Sequence, residues 1–107
     1  MAVSAEKIAF AKNLFAGLGA ITTRKMMGGL CLYHDGTIFA ILHPEGGIML
    51  KGAGPFIDVL EAKGCPRWVY QRPGKSETRM PYWALPPEVQ DDPGMAVALA
   101  REALRHL

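Results

Sequence analysis

Two cysteines and three histidines among 107 residues are too few, and too scattered, to spell a metal-ligand motif. Cys31 and Cys65 are read as reduced thiols, with a disulfide between them as the alternative. No apolar run approaches the ~20 residues that span a bilayer, so no membrane association is expected. The opening MAVSAEKIAF lacks a basic n-region and an apolar h-region, so it is not read as a signal peptide, and a cytoplasmic protein is expected. Charge of one sign is also missing. The net formal charge is +2 and the pI about 8.7, which describes no nucleic-acid-binding stripe.

What is present is apolar. Half of the residues are hydrophobic, enough for one ordinary core, so residues 1–107 are read as a single domain. The organising stretch is RKMMGGLCLYHDGTIFAIL, from Arg24 to Leu42. Asp35-Gly36 between two apolar runs is a strong hairpin signal, because a type I′ turn needs positive φ at both central residues. A two-residue turn pairs His34 with Thr37, Tyr33 with Ile38, Leu32 with Phe39, Cys31 with Ala40 and Leu30 with Ile41. Opposed residues share a face. Leu30, Leu32, Phe39 and Ile41 then form the inner face, and Cys31, Tyr33, Ile38 and Ala40 the outer one.

The remaining segments attach to this hairpin. Ser4 is placed to cap a helix to about Leu18, with Ile8, Ala11, Leu14, Phe15 and Leu18 on one face. Ala20 to Met26 reads as a strand. Pro44 to Gly47 reads as a turn and Ile48 to Lys51 as a short strand. A helix with Pro55 in its first turn buries Phe56, Val59 and Leu60. Arg67 to Arg72 alternates as a strand and Glu77 to Trp83 reads as another, which Pro81 either places at an edge or ends there. Pro86-Pro87 opens a loop or single turn. Asp92-Pro93 starts the last helix, whose inner face is Ala96, Leu99, Ala100, Ala103, Leu104 and Leu107. The order is α-β-β-β-β-α-β-β-α: an α+β, two-layer fold with a mostly antiparallel sheet of about five to six strands and three helices on one face. The Cys31/Tyr33 face is left open for a partner or ligand.

The short motifs carry little chemistry. Gly74-Lys75-Ser76 resembles the end of a P-loop, but Val69 stands where that loop needs its first glycine, so the segment is read as a turn. Gly52-x-Gly54 lacks the third glycine of a dinucleotide fingerprint, Ile57 standing in its place. His34 and Asp35 sit at one end of the hairpin and His43 at the other, roughly 20 Å away at ~3.3 Å per residue, too far to share an ion. Cys31 has no base beside it on its strand face, and the carboxylates form no spaced acid–base pair. Arg24, Lys25, Lys51, Arg67, Arg72, Lys75 and Arg79 interleave with Trp68, Tyr70, Tyr82 and Trp83, a composition read as solvated strand edges over an aromatic core. Direct nucleic-acid binding is not expected, nor is a catalytic set, a cofactor or a metal.

Two blocks of the sequence resemble the TfoX N-terminal domain family. The first is Arg24-Lys25-Met26-Met27-Gly28-Gly29, then Leu32-Tyr33-His34-Asp35-Gly36, then Phe39-Ala40, against the family's R-x-M-F-G-G, L-Y-x-D-G and F-A. The second is Met80-Pro81-Tyr82-Trp83 with Pro86-Pro87-Glu88, against M-x-Y-[YW] and P-x-E. The resemblance covers essentially the whole chain. It departs at Met27, where phenylalanine is frequent, and at Gly52-Ala53-Gly54, where acidic or polar residues are usual. It implies a two-layer α/β domain with an antiparallel sheet, and a role like that of bacterial competence regulators, which act with a catabolite-responsive activator at promoters. It assigns no catalytic residues.

The function expected is therefore a non-enzymatic regulatory module working through protein contacts, with transcription machinery as the implied partner and a homodimer left open. The candidate surface is Arg24, Cys31, Tyr33, Ile38, Ala40 and Tyr82. Gly28, Gly29, Asp35 and Gly36 are read as structural: a bulge or close approach for the first two, the turn for the others. The alternative is a ligand-binding domain or enzyme whose pocket lies between sheet and helices and uses Arg24, Tyr33, Tyr70 and Arg79.

Overall fold

The computed structural model describes residues 3–26, 28–45, 47–70 and 73–107. The motif position at Met27, Gly46 of the turn, and the Gln71-Arg72 end expected for the fifth strand lie outside the described residues.

Ser4 is extended and its Oγ accepts the Lys7 N–H at 3.2 Å, which starts helix α1, Ala5–Leu14. The helix stops earlier than expected. Phe15 leaves helical geometry, and Ala16–Leu18 tightens into a 3₁₀ turn ended by Gly19 at φ 109°. Tertiary contacts explain the break. The Phe15 ring is buried edge-on against Phe39 at 5.2 Å, and Arg101 donates to the Gly17 carbonyl at 3.1 Å.

Six strands follow the same chain order as the hairpins: β1 (Ile21–Met26), β2 (Gly29–His34), β3 (Thr37–Leu42), β4 (Ile48–Lys51), β5 (Arg67–Tyr70) and β6 (Thr78–Ala84). They form one sheet of order β1-β2-β3-β4-β6-β5, with every neighbouring pair antiparallel. Helix α2 (Phe56–Ala62) joins β4 to β5, and the one-turn α3 (Pro87–Gln90) and α4 (Pro93–Leu104) follow β6. The fold is α+β, with four α-helices among the described residues instead of the three expected, because Pro87–Gln90, read as a loop or single turn, closes the one-turn α3. Asp92 caps α4, its Oδ1 accepting the Met95 N–H at 3.1 Å.

Two expectations need correction. First, β6 is not an edge strand; it lies between β4 and β5. Pro81 is tolerated because the β5–β6 register jumps there, from Arg67↔Trp83 to Val69↔Arg79, while the β4 pairing ends at Lys51↔Tyr82. The proline thus falls in a bulge where no ladder N–H is needed. Arg67 spans the bulge, donating from Nε to the Met80 carbonyl at 2.8 Å with its guanidinium 4.5 Å from the Trp83 ring centre.

Second, the β2–β3 hairpin begins as expected, with His34↔Thr37 and Tyr33↔Ile38, and then shifts to Leu32↔Ala40, Cys31↔Ile41 and Leu30↔Leu42. One extra β3 residue is absorbed at Phe39. Beyond it the faces exchange, so Ala40 turns inward and Ile41 outward.

The helix-covered face holds the larger core, including Leu32, Phe39, Ala40, Leu50, Phe56, Leu60, Trp83 and Ala100. Leu32 and Phe39 are fully buried there. The opposite face carries a second cluster, Cys31, Ile41 and Tyr82, with Tyr33, Ile38, Met49, Trp68 and Met80 packed against it. Cys65 belongs to the first core and Cys31 to the second, and both thiols are free.

Candidate functional site

A flat sheet would separate β3 from β5 by three strand spacings, roughly 14 Å, and β1 from β5 by roughly 24 Å. Here His43, at the end of β3, meets Trp68 of β5 with ring centres 5.0 Å apart and edge to face. Met26 of β1 and Tyr70 of β5 line the same cleft. The sheet therefore bends so that its two edge strands, β1 and β5, face one cleft. The open face expected from the sequence is a concave one, partly closed by its own edge strand.

Two glycines permit the close packing at this end. Gly28 takes φ 82° in the connection between β1 and β2. A Cβ on Gly29 would collide with the Leu42 carbonyl oxygen and lie 3.2 Å from Pro44 Cδ. At the far end of the same hairpin, Asp35 and Gly36 have φ of 50° and 80°, the signs a type I′ turn requires. His34 beside them donates from Nε2 to the Leu18 carbonyl at 3.0 Å, and its Nδ1 lies 3.7 Å from the Asp35 carboxylate. These contacts brace the turn.

The candidate surface residues separate into three positions. Arg24, paired with Cys31 across the strands, is exposed, while Tyr33 and Ile38 are half-buried. Cys31 and Tyr82 form the floor, at 1 % and 7 % exposure. Ala40 is buried in the helix-side core and is not part of this face. The floor is chemically quiet. Burial pushes the Cys31 thiol up more than the Tyr33 hydroxyl and the Arg24 charge pull it down. Its Sγ–H donates to Met26 Sδ at 3.7 Å. Burial also raises the Tyr82 phenol, and Cys31 and Tyr33 add to the rise. Cys31 is thus held as the neutral thiol, a poor nucleophile.

Beside this floor is a cleft of about 350 Å³, lined among others by Met26, Ile41, His43, Pro44, Trp68 and Tyr70. Of the four residues expected to form a sheet–helix pocket, Tyr70 lines this cleft while Arg24, Tyr33 and Arg79 do not. The cleft lies at the end of the sheet where Ile41 and Trp68 of the helix-free cluster meet Leu30 and Leu42 of the helix-side core. Sequence reasoning missed His43, Pro44 and Met26 as its walls. Each reads locally as a strand end or turn, and only the curl of the sheet brings them to Trp68. The basic–aromatic interleaving does not form a stacking platform either, since Trp83 is fully buried and Tyr82 nearly so. Among the described residues no group of three or more His, Cys, Asp or Glu side chains is placed to hold a metal, and no helix is long and apolar enough to cross a membrane.

A curled antiparallel sheet with helices on one face and two glycine-shaped hairpins defines a small α+β class, and the motifs on those hairpins name it more closely. The model of the TfoX N-terminal domain matches residues 13–107, and the chain belongs to that family. Comparison with curated proteins gives no match.

Proposed function

We propose that the chain is a non-enzymatic regulatory module, located in the cytoplasm, that works through contacts with another protein, transcription machinery being the class its family resemblance points to. The observation that supports this most is the build of the concave face. Arg24, Tyr33 and Ile38 stand at its rim, over a buried floor whose one thiol is kept neutral. A charged rim around an apolar centre is the anatomy of many protein contacts, and a neutral thiol without a base offers no nucleophile.

The test is cross-linking in the native cell, followed by purification of the tagged chain and identification of what is attached. Transcription proteins are expected to be recovered with the unaltered chain. Recovery falls several-fold with Arg24→Glu, whose thermal unfolding stays close to that of the parent, and with Tyr33→Ala, compared at a temperature where that variant, having lost packing on the Cys31 cluster, is still folded. Equal recovery with both variants, or no transcription protein attached, removes the reading.

A further inference from the structure

The cleft beneath Trp68 has a chemistry of its own, independent of what contacts the rim. We propose that it is a binding site for a neutral, flat aromatic small molecule carrying one hydrogen-bond acceptor. Its volume, about 350 Å³, falls in the range of small-ligand sites. At the packing density of protein interiors it holds roughly fifteen to twenty non-hydrogen atoms.

The walls set the shape of the guest. Trp68 and Tyr70 supply aromatic surface, which favours edge or offset contact with another ring. Met26 supplies a thioether, which packs well on aromatic edges, and it is 42 % exposed at the mouth. Ile41 and Pro44 complete an apolar surround.

Charge selects further. None of the described residues lining the cleft is Lys, Arg, Asp or Glu. A charged guest would lose its hydration there and find no counter-charge among the described residues, which is costly.

His43 provides the polar anchor. The Glu45 N–H donates to His43 Nδ1 at 3.2 Å. With Nδ1 accepting, the neutral ring carries its proton on Nε2, a donor on a side chain that lines the cleft and that an acceptor on the guest would match. The edge-to-face contact with Trp68 holds the imidazole in place.

The experiment uses two probes of the same outline at neutral pH: quinoline, which is uncharged with an acceptor nitrogen, and 2-naphthoate, which is an anion. Binding is followed by amide and indole N–H chemical shifts. The two tryptophans make an internal control, because Trp68 lines the cleft and Trp83 is sealed in the helix-side core. Quinoline is expected to give saturable shifts at Trp68, His43 and Ile41 while the Trp83 indole stays put. The naphthoate binds at least about tenfold more weakly. Trp68→Ala weakens quinoline about tenfold. Met26→Glu, at a position 42 % exposed, weakens it several-fold. Absence of saturation, shifts at Trp83 equal to those at Trp68, naphthoate binding as tight as quinoline, or unchanged affinity in Met26→Glu each overturns the proposal.

Discussion

Gly52 is where a single hydrogen matters most. A Cβ there would meet the Trp83 ring at 2.7 and 2.9 Å and the Leu60 side chain at 3.1 Å. Trp83 is fully buried, with Arg67 stacked on it, so the ring has little room to retreat. Gly52→Ala is expected to cost about 1–3 kcal/mol, read as a lower urea midpoint at unchanged slope. The sequence shows Gly52-x-Gly54 only as a corner before a helix, since nothing local announces a tryptophan 31 positions later. Asp35-Gly36 is the opposite case. Its conformation is dictated by its own two residues, and so it was legible. Gly36→Val forces a β-branched side chain to φ near 80° and is expected to cost about 1–2 kcal/mol by the same measurement.

Elements were legible where periodicity and caps agreed, and illegible where a strand broke its own period. The Ser4 and Asp92 caps both read straight from the sequence, because a cap is a local hydrogen bond. Asp92→Ala should lower stability by about 1 kcal/mol, seen in a helix-monitored thermal melt. The β3 bulge is different. Alternation counted from the turn places Ala40 outward and Ile41 inward, and one extra residue at Phe39 reverses both. The selecting force is packing: the Phe39 ring fills the space against Phe15, and Ala40 fits beneath the helices. The faces can be read by substitution. Ala40→Asp buries an unpaired carboxylate and is expected to abolish folding, whereas Ile38→Asp, half-exposed on the other face, leaves a folded chain. A folded Ala40→Asp protein with native circular dichroism would contradict the register. Pro81 teaches the same lesson from the other side, since a bulge makes a central strand tolerate the residue that marks an edge.

For the whole molecule, the two faces of one sheet make two cores, and each encloses an ionisable group that stays neutral. Burial raises Cys31 and Tyr82 on one side and Cys65 on the other; around Cys65, Lys63 opposes the rise and Glu88 adds to it. In the unfolded chain these groups ionise near their ordinary values, ~8.5 for the thiols and ~10 for the phenol. Between those values and the raised ones, the folded chain binds more protons than the unfolded one, so stability falls as pH rises. The urea midpoint should be level below about pH 8 and decline above about 8.5. The Cys31→Ala chain should show a shallower decline over the same range. An equally steep fall in that variant would mean that Cys31 ionises as freely in the fold as out of it.

Among the described residues the strand that carries Trp68 pairs in the sheet with β6 only, and its indole helps seal the cluster around Cys31. Cys65 sits under the helices instead. A brief detachment of that strand would admit a thiol reagent to one sulfur and leave the other shielded. The two cysteines should then keep separate time in a labelling experiment, Cys31 recording how often the edge peels away and Cys65 how often the body of the protein opens.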